Sequence, residues 1–298
     1  RRNTMIIDVD VHPDFYEIIN KDKEIEQIRH DEINVHLNGT AQLEHIFNQM
    51  NLANIGKMFI LGRDYSKEHG FPLVSNDEVK KIEDAAPDKF VGFASIDPRS
   101  KNAEDELIRS FEELDLKGLA LYPARQHFYP DDEKLNRYYE ICIKYNKPVI
   151  FHSGLSWEPN TLSKYGHPLE FENLANRFPN LRFCLTQFGW PWIRETAMLM
   201  VKNKNIYASL GSLYFDNAWE FMNQCFTKDI PITWIDRSLR HQVMFGSANP
   251  RFEQIRLADA VQNLGLRGST VELIKSKNAY EFLKGINSDD KRGGNFVY

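Results

Sequence analysis

Eight strand-length apolar, β-branched runs recur along this chain with helix-period segments between them, and that rhythm restricts the fold more than any other feature. The runs are Met5 to Val11, Met58 to Leu61, Phe90 to Ile96, Gly118 to Leu121, Val149 to Phe151, Leu181 to Leu185, Ile206 to Ala208 and Val243 to Phe245. Between two of them, Leu135, Tyr138, Tyr139, Cys142 and Tyr145 lay an apolar stripe on one helical face, entered at Pro130-Asp131 and closed before Lys147-Pro148. Leu107, Ile108, Phe111 and Leu114 repeat the pattern, as do Phe215, Ala218, Trp219, Met222 and Cys225. A last helix is expected to open at Ser269, with Glu272 completing a capping box, and to run to about Leu283. No Gly/Ser/Pro-rich linker divides the array. The economical solution is an α/β fold, a single-domain (β/α)8 TIM barrel over residues 1–285, followed by a polar, Gly-rich tail at 286–298.

Composition removes several alternatives. At 298 residues and 42% hydrophobic content a sizeable core is available, so disorder is excluded as the main state. Lys plus Arg total 37 against 42 Asp plus Glu, and the net charge of −5 gives no footprint for nucleic acid or an anionic membrane. No apolar run approaches the roughly 20 residues of a membrane span, and the start of the chain lacks the apolar stretch of a secretory signal. Cys142, Cys184 and Cys225 are odd in number, widely spaced and set in apolar surroundings, which suits reduced core thiols and a cytoplasmic protein. There is no GxGxxG after the first strand and no G-x-S-x-G elbow, so nucleotide-cofactor and serine-nucleophile chemistry have no support.

In such a barrel, chemistry gathers where strands end and βα loops begin. After the first run comes Asp8-Val9-Asp10-Val11-His12-Pro13. Strict strand alternation sends Asp8, Asp10 and His12 to one side, where a carboxylate and an imidazole two residues apart make a pair of metal-ligand candidates. A capped strand end with solvated charges is the plainer reading of that segment alone. After the fifth run, His152 stands at a strand tip before Ser153-Gly154; taken alone, a core histidine bonded to backbone is the commoner case. The two sites gain weight together because one barrel places both at the same mouth.

These segments also carry a family resemblance. Ile6 to Pro13, Phe90 to Pro98, Leu116 to Leu119, Lys147 to Gly154, Arg177 to Leu181, Gly189 to Trp192, Phe245-Gly246-Ser247 and Asn278-Ala279 look like successive landmarks of the amidohydrolase superfamily. They resemble in particular the amidohydrolase-related branch of aminocarboxymuconate-semialdehyde and resorcylate decarboxylases. The resemblance implies one divalent metal ion, zinc first with manganese or iron as alternatives, held here by Asp10, His12 and His152. It implies a further histidine after the sixth strand and an aspartate after the eighth. This chain has Gln187 and Ala248 at those places. Both departures strike the groups that move protons in the family, since neither side chain is a general base near neutral pH.

The remaining strand ends supply substrate candidates. Arg63, Arg99 and Arg125 surround the expected mouth, and a guanidinium fork suits a small carboxylate, with Arg125 the preferred grip. Tyr122, Trp157 and Asn249 complete the substrate-binding candidates; Tyr165, His167, Trp190, Ser209, Ser212 and Tyr214 lie in neighbouring loops, and Ser153 to Pro168 forms a candidate lid. His127 and His167 are the candidates to replace the missing base. The expected function is a metal-dependent hydrolase or carboxy-lyase, with a decarboxylase in range, acting on a small carboxylated metabolite, aromatic substrates included. His152 and Gln187 are its catalytic candidates. The alternative is a catalytically impaired barrel that binds a metabolite or a partner. The aromatic tail Asn295 to Tyr298 leaves a homo-oligomer open.

Overall fold

The eight runs become eight parallel strands that pair in sequence order: β1 (Ile6–Val11), β2 (Ile55–Leu61), β3 (Phe90–Ser95), β4 (Leu119–Leu121), β5 (Val149–Phe151), β6 (Phe183–Leu185), β7 (Ile206–Ser209) and β8 (Val243–Met244). This computed structural model describes residues 4–33, 39–211 and 217–285, so the expected tail at 286–298 and the candidates Ser212, Tyr214 and Phe215 lie outside the described residues. β8 returns to β1 through the Val9 N–H to Phe245 carbonyl bond at 3.0 Å and a parallel bridge between Val11 and Asn249, which makes the sheet a nearly closed (β/α)8 TIM barrel.

Strand alternation sorts the apolar side chains into two sets. Ile7, Val9, Phe59, Leu61, Phe93, Ala120, Ile150, Cys184, Tyr207 and Met244 form one buried cluster, consistent with the barrel interior. Residues of opposite parity, including Met58, Ile60, Leu119, Leu121, Val149, Phe151, Phe183 and Leu185, join the other cluster with helical side chains such as Leu107, Phe111, Tyr139 and Cys142. The stripe read between β4 and β5 is the helix Asn136–Lys144, and that between β3 and β4 is Ala103–Glu112. All three cysteines are buried, free thiols. No helix among the described residues is long and apolar enough to cross a membrane.

Two helix readings need correction. A capping box forms at Ser75 and Glu78, not at Ser269 and Glu272. The last helical region opens instead at Gly268 behind Arg267, because Asp236 accepts the Arg267 backbone N–H at 3.0 Å and its Nε at 2.6 Å. That region then runs as a π turn, Leu273–Lys277, into the helix Asn278–Lys284. The Asn278 amide donates to the Val243 carbonyl at 2.6 Å and to the Arg240 carbonyl at 2.8 Å, which ties this last helix to β8.

Candidate active site

The site begins with an irregularity in β1. Pairing with β2 shifts register between Asp8 and Val11, and a one-residue slip reverses the face of every following side chain. Asp8 and Asp10 therefore do not share a side, contrary to strict alternation. Asp8 accepts from the Ser247 N–H (2.9 Å), the Ser247 hydroxyl (2.6 Å) and the Gln254 amide (2.7 Å), and that same amide touches Met58 of the outer core. Asp10 instead joins His12, His152, Leu61, Ala120, Tyr122 and Ile150 around the inner end of the mouth.

Burial raises the Asp8 carboxyl to about 7, against the opposing hydrogen bonds from Ser247 and Gln254. A folded-state value above the unfolded one gives stability that is complete below about pH 4 and lost as pH rises toward about 7. Asp8→Asn removes that titration. Thermal melts of metal-free wild type and variant should show the wild type losing on the order of 2–3 kcal/mol relative to Asp8→Asn between about pH 5 and about pH 8.

Asp10 is fully buried, and neither carboxylate oxygen has a hydrogen-bond partner; the His12 Nε2 lies 3.1 Å from Oδ1. A buried carboxylate that accepts no hydrogen bond is costly, and in native proteins such groups usually mark an ion or a catalytic role. The rings of His12 and His152 flank Tyr122 at centroid distances of 6.3 and 6.2 Å. Burial pushes His152 down to about 4, so its imidazole is neutral near pH 7 and offers a lone pair. Its Nε2 stands 3.3 Å from the Gln187 Nε2, an amide hydrogen bond when the histidine proton is on Nδ1. The Gln187 Oε1 is buried without a donor. Asp10, His12 and the neutral His152 thus have the donor chemistry of a divalent cation site, although among the described residues no group of three His, Cys, Asp or Glu side chains closes to ligating geometry.

The strand tips that carry the family departures are also unusual in backbone. Gln187 and Phe188 after β6 and Ala248 after β8 all have positive φ, of 56°, 49° and 58°. Such residues each cost on the order of 1–3 kcal/mol and concentrate at functional sites. Ala248 faces the cavity with only a methyl group, as the sequence requires.

Outside this inner end lies a cleft open to solvent, with about 40 Å³ of room for water-sized groups, lined by His12, Arg63, His152, Trp157, Glu158, Gln187, Ala248 and Arg251 among others. Arg63 is its buried guanidinium: Nη1 pairs with Asp14 at 3.1 Å and reaches Glu158 at 3.5 Å, while Nε has no acceptor. Arg251 lies over the Trp157 ring, 4.4 Å from its centroid.

The structure brings Asp10, His12, His152, Gln187, Ala248 and Trp157 together and leaves other candidates elsewhere. Arg125 is not at the cavity; its guanidinium is held by Glu32 at 2.7 and 3.1 Å and by Glu68. Arg99 is paired with Asp97. Tyr122 is buried with its hydroxyl on the Gly62 carbonyl at 2.7 Å, so it presents its ring and not its phenol. Asn249 serves barrel closure, its carbonyl accepting the His12 N–H at 2.8 Å and its amide donating to the Phe252 carbonyl. Neither expected substitute base lines the cavity: His127 bonds the Asn160 carbonyl, and His167 accepts the Leu169 N–H and packs on Trp192. Ser209 is buried, its hydroxyl accepting the Gln187 N–H, and Trp190 packs on Phe221. Glu158, seven residues beyond the end of β5, is a cavity residue that the sequence reading did not single out, although it lies in the candidate lid.

Comparison with known proteins adds a family and a set of folds. The family model described as amidohydrolase matches residues 54–285, a range that starts just before β2 and leaves out Asp10 and His12. A curated relative, protein fluG of Emericella nidulans, is 27% identical over 149 residues, covering 45% of this chain and 17% of that protein. The chain therefore spans less than a fifth of that relative's length. Among solved structures, an uncharacterised TIM-barrel protein of Bordetella bronchiseptica superposes with a TM-score of 0.72 at 21% identity, covering 94% of this chain and 98% of the other. The 2,6-dihydroxybenzoate decarboxylase of Rhizobium gives 0.66 at 14%, covering 95% and 99%. A dihydroxybenzoic acid decarboxylase of Polaromonas, with bound manganese and 2-nitroresorcinol, gives 0.66 at 15%, covering 97% and 100%. At these identities the superpositions speak for the fold.

Proposed function

The chain belongs to the amidohydrolase family, and from that premise we propose that it is a metal-dependent hydrolase or carboxy-lyase acting on a small carboxylated, flat metabolite. The observation that carries this reading is the buried Asp10 carboxylate, which accepts no hydrogen bond and has His12 beside it at 3.1 Å, next to a cavity whose buried guanidinium keeps an N–H without an acceptor. Asp10, His12 and His152 are the residues to hold a divalent cation. When bound, such an ion acts as a Lewis acid and acidifies water toward neutral pH.

The protein's own part follows from its geometry. Arg63, in place of the expected Arg125, grips the ligand carboxylate, and its buried Nε has no acceptor. Trp157 with Arg251 over it offers a flat wall for an aromatic or conjugated ligand. Gln187 orients: its amide lies 3.3 Å from the His152 Nε2 and its carbonyl oxygen has no donor, but it neither takes nor gives up a proton. The decarboxylase activity and the manganese named for structural neighbours support the carboxy-lyase option and a metal.

Metal analysis of protein purified without added metal or chelator, beside His152→Ala, tests this. About one equivalent of zinc, manganese or iron in the parent, falling at least about tenfold in the variant, is the expected result. A chain that takes up no metal even on reconstitution favours the second reading, a binding barrel without turnover. That reading is supported by Ala248 and Gln187 at the two proton-handling positions.

A further inference from the structure

Around Arg63 the charges do not balance. One guanidinium faces two carboxylates: Asp14, wholly buried behind it at 3.1 Å, and Glu158, on the cavity side at 3.5 Å. Asp14 alone neutralises Arg63. Glu158 has the longer contact, is one of the cavity's lining residues, and belongs to the loop after β5, where the next two residues, Pro159 and Asn160, are exposed. Its oxygens lie 2.7 and 2.8 Å from the Tyr65 hydroxyl, which has a single proton for both. The second carboxylate is thus held by half of a guanidinium already paired and by one shared phenol, in a nearly dry setting where excess negative charge is unfavourable.

We propose that Glu158 is a built-in stand-in for the ligand's carboxylate, occupying the cavity side of Arg63 until a small carboxylate enters and turns it out toward solvent. The exchange is one carboxylate for another, so the buried charge is unchanged, and the newcomer gains what Glu158 leaves unused, the buried Arg63 Nε without an acceptor. A neutral ligand of the same shape gains less, because it makes weaker, uncharged hydrogen bonds to Arg63 and to the Tyr65 hydroxyl. Glu158 in this role sets both the affinity threshold and the preference for anions. Trp157, its neighbour in the chain, places a flat group beside the same point. The inference rests on the carboxylate-binding part of the proposed function but needs no metal and no turnover.

Calorimetric titration of the full chain with benzoate, and with benzamide as the neutral isostere, tests it. Glu158→Gln is expected to bind benzoate about tenfold more tightly than the parent, with benzamide changed by less than about twofold, and adding Arg63→Gln should remove the gain. Glu158→Asp, one methylene shorter and still charged, should fall between parent and Glu158→Gln, and it decides the matter if the amide variant fails to fold. Equal or weaker benzoate binding in both Glu158 variants overturns the proposal, as does absence of benzoate binding throughout. Metal content of the same samples separates the two readings. Benzoate affinity that follows Glu158 in a protein without metal keeps the stand-in and removes the enzyme, whereas a metal-bearing protein indifferent to Glu158 removes the stand-in alone.

Discussion

Asp10→Asn is expected to make the metal-free protein more stable while abolishing metal uptake. In the wild type both Asp10 oxygens are buried without a hydrogen-bond donor. A neutral amide of the same shape removes the desolvated charge, and it can donate to the nearby His12 ring, whose Nε2 is 3.1 Å from Oδ1. Relief of an unsatisfied buried polar group is worth roughly 1–3 kcal/mol, so chemical denaturation should show a higher midpoint with an unchanged slope. Metal loading should fall by at least about tenfold, since the carboxylate is the only anionic member of the expected ligand set. Opposite signs in the two readouts are the signature of a site kept for binding at the expense of stability. A variant that loses stability and metal together would instead identify Asp10 as an ordinary structural residue.

The second large effect concerns the loop that carries Trp157 and Glu158. Gly154 has φ +71°, and a Cβ added there would lie 2.3 Å from the Trp190 carbonyl oxygen and 2.7 Å from the Gly189 carbonyl carbon. These are backbone atoms, and the Trp190 carbonyl is already engaged by the Leu155 N–H at 2.8 Å, so neither partner can move away without breaking the β5 and β6 loops apart. Left-handed backbone costs an L-residue about 1–2 kcal/mol and the overlap about 1–3 more. Gly154→Ala should therefore lose roughly 2–5 kcal/mol, a fall in Tm on the order of 10 °C, and cavity ligands with it. Gly268→Ala is the control. A Cβ there meets nothing within 4 Å at the start of a helix, so its melting curve should stay within about 2 °C of the parent or rise.

What the sequence determined by itself is what repeats locally. Strand-length apolar runs alternating with helical stripes define eight βα units, and chain connectivity then leaves a parallel barrel with its polar strand ends at one mouth. That rule put His12 and His152 at one mouth, the family resemblance added Gln187 and Ala248 where it implies a histidine and an aspartate, and all four line one cavity. The rule also named Asp10, but with the wrong companion. A period of two assigns Asp8 and Asp10 to one face, and only pairing against β2 reveals the register shift that parts them.

The remaining decisions belong to the tertiary structure because they are contests between distant partners. Arg63, Arg99 and Arg125 each follow a strand and each can hold a carboxylate, and the preference for Arg125 read from the sequence is the wrong one for this cavity. Glu32, 93 residues before Arg125, captures that guanidinium, and Asp97 captures Arg99. Arg63 keeps a buried Nε without an acceptor, because Asp14 pairs with Nη1 instead. Glu158 reaches the same point from a loop with no periodicity to announce it, held by Tyr65 from 93 residues away. Strand and helix periods are fixed by backbone geometry and can be read along the chain. Which charged side chain is left unpaired depends on long-range packing and the cost of desolvating each group, and that is settled only when the barrel closes.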